Sequence, residues 1–249
     1  MQPDLRPADY RAIWADKPGL RAIYSDYYRR IQDACVPGPT LEIGGGSGNM
    51  KQFAGDVVST DIVASPWLDT VCDAQALPFA DASFANIVMV DVLHHIARPV
   101  RFLAEAERVL VPGGRIVVVE PGVTPLSNIV FHLLHDEPVD MSEDPLDPTP
   151  PPAKDPFMGN QAIPTRLFRR EPARMAQTVP GLRLMRHQWL SLFAYLLSGG
   201  FRKWSLLPTA LAPAMLALED VVLPVLGPLM GFRLFAVVEK DGGAKQKED

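Results

Sequence analysis

The sequence is poor in cysteine, in surplus positive charge and in long apolar runs. Two cysteines in 249 residues, Cys35 and Cys72, form no pattern of spaced pairs, which excludes a disulfide scaffold and favours a reducing compartment. Lys and Arg number 24 against 29 Asp and Glu, a net charge of −5, which argues against a general nucleic-acid binder. Hydrophobic residues nevertheless make up 47%, enough for the core of one α/β domain.

Apolar runs long enough to cross a bilayer are missing as well. The two most apolar stretches, 187–201 and 204–218, hold 15 residues each without a Lys, Arg, Asp or Glu, whereas a spanning helix needs roughly 18 to 20. Four prolines interrupt the second stretch and its continuation. We therefore expect no membrane-spanning helix, and the charged, proline-broken beginning of the sequence predicts no signal peptide.

The first half of the chain alternates short apolar runs with helical patterns. Apolar residues recur every three to four positions over 10–34, with a break near Pro18, and over 99–110, before a Pro-Gly-Gly sequence. Strands are predicted at 40–43, 57–60, 70–72, 84–90 and 115–119. Strands that alternate with helices indicate a parallel sheet covered on both faces.

The composition changes after Pro121. Residues 136–164 hold eight prolines and seven acidic residues against one Lys, which predicts an irregular lid. Beyond the lid we expect a helix, a strand, an apolar proline-interrupted helical region and a last strand, at 165–178, 182–190, 205–226 and 232–239. Residues 241–249 are expected to form a disordered tail.

A glycine-rich turn follows the first predicted strand, where residues 40–50 read TLEIGGGSGNM. Its alternating glycines allow a tight turn and the close approach of a ligand, and the amides behind them open a helix. Dinucleotides and S-adenosylmethionine both bind to turns of this kind. The dinucleotide pattern requires Gly or Ala at its sixth position, where this chain has Asn49 or Lys51, depending on the register. What remains is an acidic-x-Gly-x-Gly-x-Gly pattern that begins at Glu42.

Further landmarks follow in order along the chain. Asp61 ends the second strand, Asp73 and Ala74 follow the third, Asp-Val-Leu-His-His begins at Asp91, and the sequence RVLVPGGR leads into the fifth strand. This ordered set resembles the class I S-adenosylmethionine-dependent methyltransferases, in particular the methyltransferase type 11-like group that includes small-molecule methyltransferases of quinone biosynthesis. One glycine turn alone would be weak evidence, but the ordered set is specific.

The resemblance implies an α/β fold with a Rossmann-like, doubly wound sheet of seven strands, the last one antiparallel and inserted beside the fifth. It implies a single domain over 1–240, with lid insertions after strand 5 and between strands 6 and 7. The expected parts are an N-terminal helical region, the cofactor-binding core, the proline-rich lid and an apolar helical insertion, at 1–37, 38–121, 122–164 and 191–230.

The cofactor that the resemblance implies is S-adenosylmethionine. The three glycines would pass beneath its methionine part, Asp61 would accept hydrogen bonds from both ribose hydroxyls, and Asp73 would accept one from the adenine amino group. The expected cofactor-binding residues are Glu42, Gly44, Gly46, Gly48, Asp61, Ile62, Asp73, Ala74, Asp91 and Leu93. For each acidic residue taken singly, a solvated loop acid or a helix cap is the alternative.

Three histidines are candidates for proton transfer: His95, His132 and His135. In the family a His-His pair commonly lies at a helix start beside the cofactor pocket, so a structural or pocket-lining role of His94 and His95 stays open. The other two follow the fifth strand, where the family has its acceptor lid, and ordinary surface histidines are the alternative. Adjacent histidines do not share a helix face and no Cys, Asp or Glu spacing completes a ligand set, so we expect no metal site.

The reaction implied is displacement at the sulfonium methyl carbon by an atom of a small-molecule acceptor. The apolar segment 191–230 must cover an internal core, a homodimer interface or lipid. Basic residues that flank it suit an anionic acceptor: Arg183, Arg186, Arg202, Lys203 and Arg233. We expect a hydrophobic or lipid-linked acceptor, no nucleic-acid partner, and a cytoplasmic protein at most peripheral to the membrane. Two rival functions stay open, a nucleotide-dependent oxidoreductase and a methyltransferase-like scaffold without activity.

Overall fold

Seven strands form one mixed sheet. The computed structural model describes residues 7–149 and 155–242, and the strands in these ranges are β1 (Thr40–Ile43), β2 (Val57–Asp61), β3 (Thr70–Val71), β4 (Phe84–Val90), β5 (Leu110–Pro121), β6 (Leu182–Leu190) and β7 (Arg233–Lys240). Their order is β3–β2–β1–β4–β5–β7–β6. Strands β1 to β5 are parallel, and β7 lies antiparallel between β5 and β6. The predicted fold class is confirmed, including the place and direction of the last strand.

Helices pack on both faces of this sheet. They are α1 (Pro7–Asp16), α2 (Pro18–Ala34), α3 (Pro99–Val109), α4 (Pro125–Leu134), α5 (Ile163–Thr165), α6 (Pro172–Thr178), α7 (Ala194–Ser198) and α8 (Ala212–Met230), and a π-helical turn, Arg166–Arg170, continues α5. Five of them, α1 to α4 and α6, begin with proline. Proline suits the first helical position because its fixed φ is helical and its missing N–H would have no partner there.

The core has two layers because strand side chains alternate between the faces. In β5, Ile116 and Val118 point into the layer beneath α3 and α6, whereas Val117 and Val119 point into the layer beneath α1, α2 and α7. All four side chains are at most 1% exposed. The continuous apolar run of β5 is thus explained by burial on both faces.

Element boundaries differ from the sequence prediction in a few places. The first helical pattern is divided at Lys17, as expected, but β5 begins at Leu110 rather than at 115. Leu110 pairs with Phe84 across a register shift, which carries the Pro-Gly-Gly sequence inside the strand. Lid residues 136–149 and 155–162 contain neither helix nor strand, as predicted. Residues 163 and 164 of the predicted irregular lid instead begin α5, and α4 forms the first part of the lid predicted over 122–164. Lid residues 150–154, and residues 243–249 of the tail predicted over 241–249, lie outside the described residues.

Helix α8 is longer and more continuous than its prolines suggest. It runs through Pro224 and Pro228, and with the preceding turn it covers Thr209–Met230, long and apolar enough to cross a membrane by length and composition. The sequence analysis expected no helix of this length, because it counted only runs without a charged residue, and this helix contains two acidic residues. The expectation is therefore corrected. Its two acidic residues are tied to the fold: Glu219 accepts from the Ala194 amide at 2.6 Å, and Asp220 pairs with Arg30. The middle of α8 is therefore packed on the domain.

Candidate active site

The glycine turn after β1 has a left-handed backbone at alternate positions. Gly44, Gly46 and Gly48 have φ angles of +72°, +41° and +74°, which favour glycine. A Cβ atom at Gly44 would come within 2.1 Å of Val92, and one at Gly48 within 2.6 Å of Trp67. At Gly46 the nearest described atom to such a Cβ is the Gly44 carbonyl oxygen, 3.7 Å away. Gly46 therefore leaves space in which a ligand can lie against the backbone.

Glu42 lies beneath the turn and is only 7% exposed. The Ser59 hydroxyl donates a hydrogen bond to its Oε2 atom, which lies 3.1 Å from where a Cβ of Gly45 would be. Burial raises the pKa of Glu42 to about 7, and the hydrogen bond from Ser59 offsets part of this effect. Glu42 thus supports the turn from below.

Asp61 ends β2 and is fixed against the glycine turn. Its Oδ2 atom accepts from the Gly46 amide and its Oδ1 atom from the Val63 amide, both at 2.9 Å. The Trp67 indole donates to the Gly46 carbonyl at 2.7 Å, and the Arg11 guanidinium stacks on that indole at 4.6 Å. Sequence reasoning missed Trp67, because its sole signal was an aromatic residue in the loop after β2.

The predicted adenine side lies at the neighbouring strand end. Parallel pairing of β2 and β3 places Asp61 beside Val71, so Asp73 and Ala74 follow at the same edge. Asp73 is exposed and accepts from the Gln75 amide at 2.9 Å, whereas Ala74 is buried. Ile62, next to Asp61, is 50% exposed. The structure thus brings this group of predicted residues to one edge of the sheet.

Asp91 follows β4 and is hydrogen-bonded by one residue early in the chain, in α2, and one late in the chain, in β7. It has a left-handed backbone, with φ of +59°, a strained conformation that the surrounding contacts must stabilise. The Tyr24 hydroxyl donates to its Oδ2 atom at 3.0 Å, and Arg233 donates to Oδ1. Arg233 is 6% exposed and lies over the Tyr195 ring at 4.2 Å. Asp91 is therefore fixed by a helix, a strand and an aromatic ring.

The basic residues expected to flank an anionic acceptor are dispersed. Arg233 is buried against Asp91, Arg186 lies over the Phe235 ring, and Arg183 is near Glu239 at 3.9 Å. All three side chains therefore already contact other residues of the domain. Their directions follow from the alternation of side chains along β6 and β7. Arg202 and Lys203 lie in the loop before α8, and their role toward an anionic acceptor stays a prediction.

A buried carboxylate at the end of β5 orders the His-His segment. Glu120 is fully buried and accepts hydrogen bonds from the amides of Val92 and Leu93, at 2.7 and 2.8 Å, and from His94 Nδ1, at 2.7 Å. This arrangement leaves Nε2 of His94 to face the lid. Sequence reasoning missed Glu120, although an acidic residue ending a buried strand was a signal for it.

The lid contributes Glu137 to the histidine pair. Its carboxylate lies 3.4 Å from Nε2 of His94 and 3.6 Å from Nε2 of His95. Burial alone would lower the pKa of His94, but hydrogen bonds with Glu120 and Glu137 outweigh it and raise that pKa to about 9. Burial would raise the pKa of Glu137, but the histidines lower it. The lid thus supplies a carboxylate that sequence spacing did not reveal, and one ligand atom each of His94, His95 and Glu137 lies within 4.8 Å of the others.

The three candidate proton-transfer histidines have different surroundings. His95 is half-buried beside Glu137. The side chain of His135 is 43% exposed, with Nδ1 4.0 Å from the Glu137 carboxylate. His132 is exposed on α4, with Nδ1 2.8 Å from the Asn128 carbonyl of its own helix. The structure brings His95 and His135 to the site and places His132 outside it.

The residues present fit S-adenosylmethionine. A Cβ at Gly46 would fill the space that a ligand needs. The Asp61 carboxylate keeps acceptor capacity for ribose hydroxyls, since each of its oxygens accepts one described hydrogen bond and has two lone pairs. Asp91, predicted for the methionine side, has its carboxylate paired with Arg233, and the predicted Leu93 is fully buried.

Comparison with known proteins agrees with this geometry. Residues 41–118 match a protein family described as "Methyltransferase domain". A demethylmenaquinone methyltransferase of Renibacterium salmoninarum is 32% identical over 143 residues, 47% of this chain and 60% of that protein. A ubiquinone/menaquinone biosynthesis C-methyltransferase of Desulfotalea psychrophila is 36% identical over 100 residues, 37% of each chain. The match thus spans less than two thirds of the length of these curated relatives.

Solved structures share the fold over most of the chain. A SAM-dependent methyltransferase from Archaeoglobus fulgidus superposes with a TM-score of 0.54 at 15% identity, covering 89% of this chain and 94% of the other. At that identity the likeness concerns the fold alone. Together, the ordered landmarks, the sheet order and the match of residues 41–118 to a methyltransferase domain make this chain similar to the class I S-adenosylmethionine-dependent methyltransferases.

Proposed function

We propose that the protein transfers a methyl group from S-adenosylmethionine to a small hydrophobic or lipid-linked acceptor. The observation that carries the proposal is the space over Gly46, whose amide donates to Asp61, beside Gly44, which packs against Val92 of the segment that follows Asp91. In a doubly wound sheet, ligands bind at the carboxyl ends of the parallel strands. The residues that border this space lie at the carboxyl ends of β1, β2 and β4.

The chain's own residues chiefly supply binding and alignment. S-adenosylmethionine, when bound, provides a methyl group on a positively charged sulfur. The glycine turn and Asp61 hold the cofactor, and Asp91, whose charge Arg233 offsets, fixes the segment that begins at Val92. Alignment in a dry pocket accounts for much of the rate of such a transfer. A base is needed where the acceptor starts protonated, and His95 beside Glu137 is the group we propose for it.

An exposed apolar surface next to the acceptor side supports a hydrophobic acceptor. On α8 the outward residues Leu218, Val221 and Val225 are 57%, 75% and 75% exposed. Helix α4 packs against α8 and exposes Leu133 and Leu134, at 74% and 57%. Exposed patches of this kind mark interaction surfaces. Because α4 ends immediately before His135, the surface borders the histidine cluster.

The partner we propose for this surface is an anionic lipid bilayer. The adjoining loop carries Arg202 and Lys203 followed by Trp204, which is 44% exposed. Arg202 donates to the Leu134 carbonyl, so the loop abuts the end of α4. Basic residues favour anionic headgroups, and exposed tryptophan suits the membrane interface. We propose that the protein acts on the cytoplasmic side as a peripheral protein. The curated relatives named above are quinone methyltransferases by name, which supports an acceptor of that class.

Calorimetric titration with S-adenosylmethionine tests the cofactor part. We expect Gly46→Val to weaken binding by about tenfold or more, because the side chain fills the ligand space. Asp61→Ala should cost about 1 to 3 kcal/mol of binding free energy, because ribose hydroxyls lose their acceptor. The matched control is Gly113→Val, since Gly113 also has a positive φ, +79°, and open space. Wild-type affinity in a folded Gly46→Val protein contradicts the proposal, and binding without turnover favours the scaffold alternative.

Flotation with vesicles tests the lipid part. We expect the wild type to float with anionic vesicles, and less at high salt. A Val221→Asp and Val225→Asp double variant should remain in the vesicle-free fraction. The control is Val71→Asp with Met185→Asp, at two exposed apolar residues on β3 and β6, which should float with the vesicles as the wild type does. If the wild type stays in solution as a dimer that the first double variant dissociates, the surface is a homodimer interface instead.

A further inference from the structure

Three metal-ligating side chains from two segments meet beneath the lid. One ligand atom each from His94, His95 and Glu137 lies within 4.8 Å of the others. The Nε2 atom of His94 is 3.4 Å from Glu137 Oε2, and that of His95 is 3.6 Å from Glu137 Oε1. The histidines come from the turn after β4, whereas Glu137 belongs to the lid that follows α4.

These separations suit ligands of a shared metal ion. Charged N–H to O hydrogen bonds have lengths of about 2.7 to 2.9 Å, so the contacts of Glu137 with His94 and His95, at 3.4 and 3.6 Å, are longer than optimal hydrogen bonds, although Glu137 still raises the pKa of His94. Around a tetrahedral ion with metal–ligand bonds of about 2.0 to 2.2 Å, neighbouring ligand atoms lie about 3.3 to 3.6 Å apart. The two separations from Glu137, each to a different carboxylate oxygen, fall in this range, and all three ligand atoms lie within 4.8 Å of one another. Small side-chain rotations would bring one oxygen and both nitrogens onto a shared ion.

The surroundings orient the ligands as in known metal sites. Metal-binding histidines usually donate their second ring nitrogen to a carboxylate, which fixes the ring and its tautomer. Here Nδ1 of His94 is 2.7 Å from the buried Glu120 carboxylate, which leaves Nε2 for a metal. Gln161 donates to Glu137 and fixes that carboxylate in turn.

The lid closes tightly over the cluster. The Asn160 amide donates to the His94 carbonyl at 2.9 Å. A Cβ at Gly159 would come within 2.6 Å of His94 and 3.1 Å of both His95 and Glu137. Glycine at this position therefore lets the lid backbone approach all three side chains.

We propose that His94, His95 and Glu137 bind a divalent transition-metal ion of the Zn²⁺ type, with Glu120 as the residue that orients His94. Two imidazoles and one carboxylate suit Zn²⁺ or its first-row neighbours, whereas Ca²⁺ and Mg²⁺ prefer oxygen ligands. Three protein ligands leave a tetrahedral ion one open position. Resting on the proposed function, we infer that a bound ion replaces His95 in the role of base proposed above, since a metal-bound imidazole nitrogen cannot accept a proton. An acceptor oxygen at the open position would lose its proton to solvent, and the ion would stabilise the deprotonated form.

Metal titration of chelator-stripped protein tests the site without methyl transfer. Calorimetry with Zn²⁺ should give one tight site per chain, in mildly alkaline buffer because metal ions compete with protons for imidazole. Co²⁺ should give the visible absorption of a tetrahedral nitrogen and oxygen site. His95→Ala and Glu137→Gln should each weaken Zn²⁺ binding at least about tenfold. His94 is left unchanged in these variants because it is buried.

The matched control is His132→Ala, which removes an exposed histidine outside the cluster and should keep wild-type metal affinity. Thermal melting by circular dichroism verifies that each variant is folded. Stoichiometric binding lost in the two cluster variants and retained in the control supports the site. No stoichiometric binding by folded wild type, or equal binding by the cluster variants, overturns it. Because the titration contains no S-adenosylmethionine, its failure is distinguishable from failure of the proposed function.

Discussion

At the scale of single residues, Glu42 is a carboxyl group placed where water barely solvates its charge. Its pKa of about 7 in the folded protein exceeds the ordinary value of about 4.3. The folded state therefore binds the proton more tightly than the unfolded state. The free energy of unfolding therefore falls as the pH rises from about 4 to 7. Above pH 7 Glu42 is ionised in both states, and the stabilisation that its protonation gave the folded state is lost.

Replacing Glu42 with Gln should flatten this part of the pH profile. A shift of this size corresponds to at most about 4 kcal/mol, so Glu42→Gln should gain stability relative to wild type as the pH rises to 8. Urea denaturation at pH 5 and pH 8, without cofactor, measures the difference. Asp33→Asn, at a carboxylate with a 65% exposed side chain, is the control and should leave the profile unchanged. A Glu42→Gln profile parallel to that of wild type would falsify the assignment.

The sequence predicted the residues whose role depends on local backbone, and it missed those whose role depends on distant contacts. Gly44 and Gly46 could be found because positive φ and close approach are local demands on residue type. Glu120 and Glu137 could not, because they reach His94 across 26 and 43 positions of the chain. Such a contact depends on the path of a lid with no periodic pattern.

At the scale of elements, α7 depends on α8 for its first turn. A helix leaves its first amides without partners inside the helix, and α7 has no side-chain cap of its own. Glu219 of α8 accepts from the amides of Phe193 and Ala194, at 2.5 and 2.6 Å. The carboxylate thus caps one helix from the middle of another.

Removing this cap should loosen both helices. We expect Glu219→Ala to lower the free energy of unfolding by about 1 to 3 kcal/mol, because buried amides lose a charged acceptor. Asp220→Ala, at the neighbouring acid that forms an ion pair with a half-exposed side chain, should cost about 1 kcal/mol or less. Denaturant unfolding and hydrogen exchange at 193 and 194 measure both. Equal losses in the two variants would contradict a capping role.

The course of α8 shows why composition misled the prediction at this scale. Prolines predict helix interruption because they remove a hydrogen bond, yet Pro224 and Pro228 lie inside a continuous helix. Both prolines are exposed, so the carbonyls left without their helical partners lie on the solvent side. Tertiary packing of Leu223 and Gly227 outweighs the local preference.

At the scale of the whole molecule, the pair of Asp91 and Arg233 joins β4 to β7 across 142 positions. Breaking a buried pair by removing one partner costs about 3 to 5 kcal/mol, because the other charge stays behind. Arg233→Met should therefore be severe, and Asp91→Asn somewhat less so, since the Asp91 side chain is 27% exposed. The double variant should cost clearly less than the sum.

Denaturant unfolding of the two single variants and the double variant measures this coupling, which we expect to exceed about 1 kcal/mol. Additive losses would show that the two charges stabilise the protein independently. The order of the sheet was predictable at this scale, because it came from the resemblance to a family. The buried pair was not, because Arg233 stands at the start of a strand whose partners the sequence alone does not name.

The position of β7 also affects how the protein folds while it is being synthesised. Chains fold as they emerge, amino-terminal parts first, yet β7 lies inside the sheet, between β5 and β6. Until β7 is synthesised, β5 keeps an unpaired edge and β6 has no neighbour in the sheet. Open edges pair readily with other chains. The nascent protein is thus most prone to aggregation just before β7 emerges, and chaperone binding should be strongest at that stage.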